Sequence, residues 1–371
     1  MQEVNPASLV PVVAWGAFAL AFVFGFVGNK TNFCTMGAVS DVVNMGDWNR
    51  MRMWLLAIAV AIFGSNALEL VGLIKLSNSI YPGPNFTWLS YLVGGALFGI
   101  GMTLGSGCGS KTLIRVGGGN LKSVVVLVFM AIAAYMTLRG LFGALRVAVL
   151  DPVAVQLVGG QDLPSLLARL FGAEHRVMEI LAALVVGAAL AAFALARREF
   201  WQRDYLLGGI VVGLVIVGGW YVSGRLGHLA EDPNTLQEAF VATNTGRMES
   251  LSFVAPQAFL LEYLMLWTDK SKIVTFGIAS ALGVIVGSAA YALASKTFRL
   301  ESFRDAPDML RHMVGGILMG FEGVVALGCT IGQGITGFST LAAGSILTFL
   351  AIVAGAAATM KFEYWRMTRE G

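Results

Sequence analysis

Three cysteines stand in a chain of 371 residues, each flanked by small or hydroxyl-bearing side chains. Their contexts are Thr31-Asn-Phe-Cys-Thr-Met-Gly37, Gly105-Ser-Gly-Cys-Gly-Ser-Lys111 and Leu327-Gly-Cys-Thr-Ile-Gly332. A short helix-length segment follows each one. A cysteine opening such a helix lies beside unpaired backbone N–H groups, at the positive end of the helix dipole. Anions gather at such places. The thiol adds a weak S–H donor and a soft, polarisable acceptor, which suits a ligand with an exposed sulfur atom better than a hard oxyanion. Dipoles would hold the charge and thiols the soft end. Because the dipole also favours thiolate, and a thiolate repels an anion, apolar surroundings must keep the thiol protonated. The candidate binding residues are Cys34, Cys108 and Cys329, with Gly107 and Gly328 before them and Thr35, Gly109 and Thr330 after them. The competing reading makes each cysteine a small buried hydrophobe and the glycines packing faces.

Two of these cysteines belong to a duplication. Leu92-Val-Gly-Gly-Ala-Leu-Phe-Gly99 returns as Met313-Val-Gly-Gly-Ile-Leu-Met-Gly320. Gly94 with Gly315, Gly95 with Gly316, Gly99 with Gly320, Gly107 with Gly328 and Cys108 with Cys329 are all 221 positions apart (329 − 108). A gapless match of this kind indicates an internal repeat, and membrane proteins built from repeats usually hold their cargo between the copies. A weaker match sets Gly16–Gly25 against Gly209–Gly218 at an offset of 193 (209 − 16). It puts Cys34 opposite Gly227, leaves the fourth symmetric thiol missing, and requires 28 extra residues (221 − 193) in the second copy, within 228–256.

The elements that must position these residues are membrane spans. The chain is 57% hydrophobic and 13% charged, about half the charge of a soluble domain. Its mean hydropathy is +0.75. Apolar runs long enough to cross a bilayer lie at about 9–28, 52–74, 121–142, 176–196, 204–222, 273–295 and 341–360, and shorter ones at 90–105 and 312–327. Nine crossings result. The pieces at 34–44, 108–117, 250–266 and 329–338 are too short to cross and must be buried in protein or line a cavity. The expected fold is an all-α polytopic integral membrane protein, about nine transmembrane helices plus short re-entrant half-helices, with an inverted internal repeat. One transporter domain covers 1–371: repeat 1 at about 9–142, a linker helix at about 176–196, and repeat 2 at about 204–360. With the N-terminus outside, inner segments hold sixteen of the 25 Lys and Arg residues and outer segments nine. This favours N-out, C-in, and it inverts the two copies. No cleavable signal precedes the first span.

Other ionisable groups give less. Glu69 and Glu322 fall within or near spans, where carboxylates are functional or paired. Lys111 and Arg115 follow Cys108 and either draw an anion to the inner mouth or anchor the helix end. His175, His228 and His312 lie in loops or at span ends, so no buried His-Cys metal site is readable, and neither a metal nor a cofactor is expected. The basic residues are scattered between spans, which argues against nucleic acid. With three cysteines and no Cys-x-x-Cys pair, neither a disulfide framework nor a membrane thiol–disulfide redox protein has its usual signature, although the latter stays as a rival.

With Asn32-Phe-Cys-Thr-Met-Gly-Ala-Val-Ser-Asp41, Gly105-Ser-Gly-Cys108 and Gly328-Cys-Thr-Ile-Gly-Gln-Gly-Ile-Thr-Gly337, the chain resembles the YeeE/YedE sulfur-transport family over most of residues 9–360. The resemblance implies a bacterial inner-membrane protein for thiosulfate uptake. In that family the motif cysteines, here Cys34, Cys108 and Cys329, pass thiosulfate through the centre of an hourglass-shaped protein by S–H···S contacts. It also implies a small cytosolic TusA-like sulfur-carrier partner, and no such domain is expected within this chain. Another sulfur or selenium species is the alternative cargo. The function expected is membrane transport, not catalysis.

Overall fold

The computed structural model describes residues 6–233 and 235–370. Its helices are α1 (Pro6–Lys30), α2 (Thr35–Ser40), α3 (Asn49–Leu70), α4 (Trp88–Leu104), α5 (Gly109–Gly117), α6 (Leu121–Arg139), α7 (Leu141–Leu145), α8 (Leu163–Phe171), α9 (His175–Leu195), α10 (Arg203–Tyr221), α11 (Ala255–Met265), α12 (Phe276–Ala294), α13 (Ala306–Val325) and α14 (Ala343–Glu370). Among the described residues, eight helical segments are long and apolar enough to cross a membrane. α13 is the ninth long helix: its 20 residues include Asp308, Arg311 and Glu322, which dilute its apolar character. Among the described residues, strand is confined to two-residue ladders, Asn85–Phe86 with Val155–Gln156 and His228–Leu229 with Ala239–Phe240. The chain is an all-α polytopic membrane protein.

Helix packing repeats under exchange of the two halves. α1 lies along α12 as α10 lies along α3, and α4 lies along α14 as α13 lies along α6. α4 also crosses α13, and α1 crosses α10, each helix meeting its own counterpart. That pattern belongs to a pseudo-two-fold axis. α9 stands outside it, packed on α3 and α8. As a single extra crossing, α9 makes counterpart helices run in opposite directions, so the repeat is inverted. Small residues set these contacts, as expected where lipid removes any hydrophobic drive between helices. Gly95 and Gly99 seat α4 on α14, and Gly316 and Gly320 seat α13 on α6. A Cβ at Gly95 would stand 2.7 Å from Ala351, and one at Gly316 would stand 2.8 Å from the Val126 carbonyl.

Four short helices interrupt the bundle at equivalent points: α2, α5, α11 and the turn that opens at Thr330 and runs through the π-helical segment Gly332–Gly337. The nine residues of α5 rise about 13.5 Å, under half of a ~30 Å hydrocarbon core. One expectation is corrected here. Gly227 closes a π-helical turn after α10 and opens no half-helix. The fourth cap position is Val254, which precedes α11 as Cys34 precedes α2. The extra residues of the second half lie before Val254, in the stretch that carries the 228–240 ladder.

Candidate functional site

Each cysteine is delivered by the same local device. Asn32, Ser106 and Leu327, each two residues before a cysteine, adopt left-handed backbone with φ of 52°, 56° and 58°. That conformation terminates a helix. Phe33 N–H returns to the Gly28 carbonyl at 3.0 Å and Gly107 N–H to Met102 at 2.9 Å, closing α1 and α4. The chain then reverses into the short helix. For serine and leucine the left-handed region costs about 1–2 kcal/mol, and asparagine tolerates it better. Gly328 adds a second unusual torsion with φ 156°, and a Cβ there would stand 3.2 Å from Gln333 N.

The thiols themselves serve as caps. Cys34 Sγ accepts from Gly37 N–H at 3.3 Å. Cys329 Sγ accepts from Gly332 N–H at 3.5 Å and from Phe253 N–H at 3.3 Å. The bonds from Gly37 and Gly332 are the residue-plus-three bonds of an N-cap, made with sulfur in place of oxygen, and the bond from Phe253 comes from a distant segment of the chain. Because the sulfur accepts here, its S–H proton is free to point elsewhere, towards an acceptor such as a ligand sulfur. Cys108 differs: its Sγ lies 3.3 Å from Ser110 Oγ and 3.8 Å from Thr35 Oγ1, and no backbone N–H bonds to it. All three cysteines are free and buried. Cys108 and Cys329 are fully enclosed, while Cys34 keeps 5% exposure.

Phe253 connects the two central caps. Its N–H reaches Cys329, and a Cβ on Gly109 would stand 2.9 Å from its carbonyl oxygen. Gly109 therefore serves close packing of one half-helix against the approach to another. Gly107 is looser, since the atoms nearest a Cβ there belong to the flexible side chains of Lys111, at 3.3 Å, and Arg115, at 3.7 Å. Thr35 faces Cys108. Thr330 is buried, and its hydroxyl has no hydrogen-bond partner among the described residues.

Open space lies on both sides of these buried sulfurs. On the Cys108 side a cavity of about 730 Å³ is bordered by Asn32, Ser106, Lys111, Arg115, Lys122 and Arg299. On the Cys329 side one cavity of about 160 Å³ and another of about 660 Å³ share Ile80, Arg146, Val324 and Leu327, and the smaller includes Gly328. Lys111 is more than an anchor. It is buried, donates to Asn32 Oδ1 at 2.6 Å, and borders the larger cavity one turn beyond Cys108. Arg115, four residues on, donates to the Ser106 carbonyl at 2.5 Å and shares that cavity.

Sequence reasoning also missed the Phe253–Val254 approach. Its available signal was Pro256, in the first turn of α11, where proline marks a helix start. Glu69 accepts from Leu76 N–H at 3.0 Å, and among the described residues no lysine or arginine pairs with it.

Two inverted copies that bring broken helices together, between cavities on opposite sides, define a membrane transporter. The family described as "Sulphur transport" matches residues 30–358, and the chain belongs to it. The chain is 29% identical over 320 residues to the thiosulfate transporter TsuA of Escherichia coli (strain K12), covering 84% of this chain and 83% of that protein. It is 24% identical over 358 residues to the thiosulfate transporter TsuA of Spirochaeta thermophila (strain ATCC 700085 / DSM 6578 / Z-1203), covering 92% of this chain and 96% of that one.

Proposed function

We propose that this chain takes up thiosulfate, or a closely related sulfur-bearing anion, across the cell inner membrane, as a transporter and not an enzyme. The observation that carries the reading is the set of three sulfur atoms at the openings of short helices, buried between the cavities on either side. Cys34, Cys108 and Cys329 hand the terminal sulfur of the anion from one S–H to the next, and the half-helix N-termini carry its charge. Gly107, Gly109 and Gly328 keep side chains out of the way, and Thr35 and Thr330 supply hydroxyls for the oxygen atoms. One transport unit is formed by the two copies, with α9 as the linker.

The N-terminus faces outward and the C-terminus faces the cytoplasm. This rests on the basic border of the Cys108-side cavity, with Lys111, Arg115, Lys122, Lys296 and Arg299, which fits the cytoplasmic excess of positive charge. A small cytosolic sulfur carrier of the TusA kind receives the anion at that mouth. The test is uptake of radiolabelled thiosulfate by cells that lack every other thiosulfate importer, comparing the wild-type chain with its three single cysteine-to-alanine variants. Loss of uptake with normal membrane levels of protein supports the relay, and wild-type uptake by all three variants refutes it.

A further inference from the structure

Glu322 is fully buried in α13, and neither oxygen of its carboxyl group has a hydrogen-bond partner among the described residues. An unpaired carboxylate in such a place is strongly disfavoured, and the group avoids the cost by holding a proton. Gly94 of α4 makes room for it, since a Cβ there would stand 3.0 Å from Glu322 Oε2. The helices packed on α13 are α4, α6 and α11. On α4, Tyr91 takes a hydrogen bond from Gln161 at 3.2 Å. On α6, Lys122 pairs with Asp308 at 2.8 Å, and Tyr135 and Arg139 make no bond to Glu322. On α11, Glu262 pairs with Lys272 at 2.6 Å, and Tyr263 packs on Trp267. Within α13, His312 is held by Asp308 at 3.1 Å. No charge from these elements compensates the acid.

Its place in the chain ties it to the cysteine path. The next two residues, Gly323 and Val324, border the cavity that contains Leu327 and Gly328. A Cβ at Gly323 would stand 2.7 Å from Val254, the fourth cap. One turn on, the Ala326 carbonyl accepts from Gln333, in the turn opened by Cys329. The acid thus immediately precedes residues that border one vestibule, on the helix that leads into a central thiol.

We propose that Glu322 is a proton-binding site that couples inward movement of the sulfur dianion to inward movement of H⁺. This rests on the transport function proposed above. A carboxylate oxygen takes one proton from water of the outer vestibule and releases one proton to the inner side. No bond to sulfur forms or breaks, and nothing is oxidised. Each proton carried inward cancels one of the two negative charges that otherwise move against an inside-negative potential.

The test reconstitutes wild-type protein and Glu322→Gln in proteoliposomes with the membrane potential clamped. In the wild type, an inward proton gradient accelerates uptake of radiolabelled thiosulfate several-fold, and adding thiosulfate alkalinises the outer medium. Glu322→Gln is expected to lose both responses while still exchanging internal for external thiosulfate. Should that variant fail to incorporate, Glu322→Asp is expected to keep the coupling, and the infrared carbonyl band of a protonated carboxylic acid in the wild type is expected to change when thiosulfate is added. A gradient response retained by Glu322→Gln overturns the proposal, as does an infrared band that ignores thiosulfate. Wild-type thiosulfate uptake without proton movement overturns it alone, whereas no thiosulfate uptake under any gradient overturns the transport reading with it.

Discussion

Serine in place of each cysteine separates the helix capping done by sulfur at positions 34 and 329 from the soft-atom role proposed for all three. Ser caps a helix better than Ala by about 1 kcal/mol, so Cys→Ser preserves the cap and removes only the soft atom. Cys→Ala removes both. At position 329 the sulfur accepts from two buried N–H groups, Phe253 at 3.3 Å and Gly332 at 3.5 Å. Orphaning a buried donor costs about 1–3 kcal/mol, and for bonds to weakly accepting sulfur the low end applies, so Cys329→Ala should lose about 2 kcal/mol. At position 34 a single bond, from Gly37 at 3.3 Å, is lost, which predicts about 1 kcal/mol. At position 108 the neighbours are the hydroxyls of Ser110 and Thr35, which can turn to other partners, so the stability cost is the smallest of the three. Thermal unfolding in detergent should therefore rank the alanine variants Cys329, Cys34, Cys108 from most to least damaged, with every serine variant near wild type. Thiosulfate uptake should follow a different order, with all six variants strongly impaired. Near-normal uptake by Cys108→Ser and Cys329→Ser would refute the role of soft sulfur, leaving Cys329 as a helix cap and Cys108 as packing.

The other expectations concern neighbours of the thiols. Gly109→Ala drives a methyl group to 2.9 Å from the Phe253 carbonyl oxygen, a backbone atom, and should destabilise by about 1–3 kcal/mol. Gly107→Ala meets the flexible side chains of Lys111 and Arg115 and should unfold close to wild type, as detergent melting curves of the pair would reveal. Gly328→Ala places a side chain at φ 156° and should cost about 1–3 kcal/mol, read in the same assay. Lys111→Met keeps the stem and deletes the charge beside the 730 Å³ cavity. It should lower maximal thiosulfate uptake roughly tenfold, as a loss of about 1.4 kcal/mol would, with Lys111→Arg recovering part of it. Equal uptake by Lys111→Met and wild type would assign Lys111 to packing alone.

Much of this arrangement is legible in residue type and spacing. The 221-residue offset pairs Cys108 with Cys329, and both open short helices in the fold. Hydropathy located the crossings because lipid-facing residues have one requirement, whatever they pack against. The fourth cap was hidden for a different reason. Pseudo-symmetry preserves backbone shape and not chemistry, so Val254 carries no cysteine to betray it, and the insertion before it shifts the register. Leu327 and Ser106 in left-handed backbone could not be foreseen either, since neither type favours that region. Both torsions belong to the turn that closes a long helix, where Ser106 N–H bonds to the Thr103 carbonyl and Leu327 N–H to the Val324 carbonyl. Nor does Lys111 look buried in sequence, because its neighbours Ser110 and Thr112 are polar. What encloses it is Asn32 from the end of α1, 79 residues away.

The placement of that lysine bears on why thiols, and not cations, would line the proposed path. A full positive charge at 4 Å from a dianion would contribute about 8 kcal/mol at an effective dielectric near 20, twice the value for unit charges. That corresponds to roughly a million-fold in affinity, and the anion would stay bound. A conducting path needs sites strong enough to enter and weak enough to leave. Helix ends carry only about half a charge each, and a neutral thiol adds a weak donor, so a series of them provides shallow steps of similar depth. The basic side chains stand where a deep well does no harm: Lys111 and Arg115 at the border of a wide cavity, each already engaged by a neutral oxygen of Asn32 or Ser106. Inward movement of a dianion against 100 mV still costs about 4.6 kcal/mol, at ~2.3 kcal/mol per charge, and no sequence of neutral sites can supply that. Either downstream consumption holds the inner concentration low or a cation travels with the anion, and Glu322 is the buried acid of α13 available to carry one.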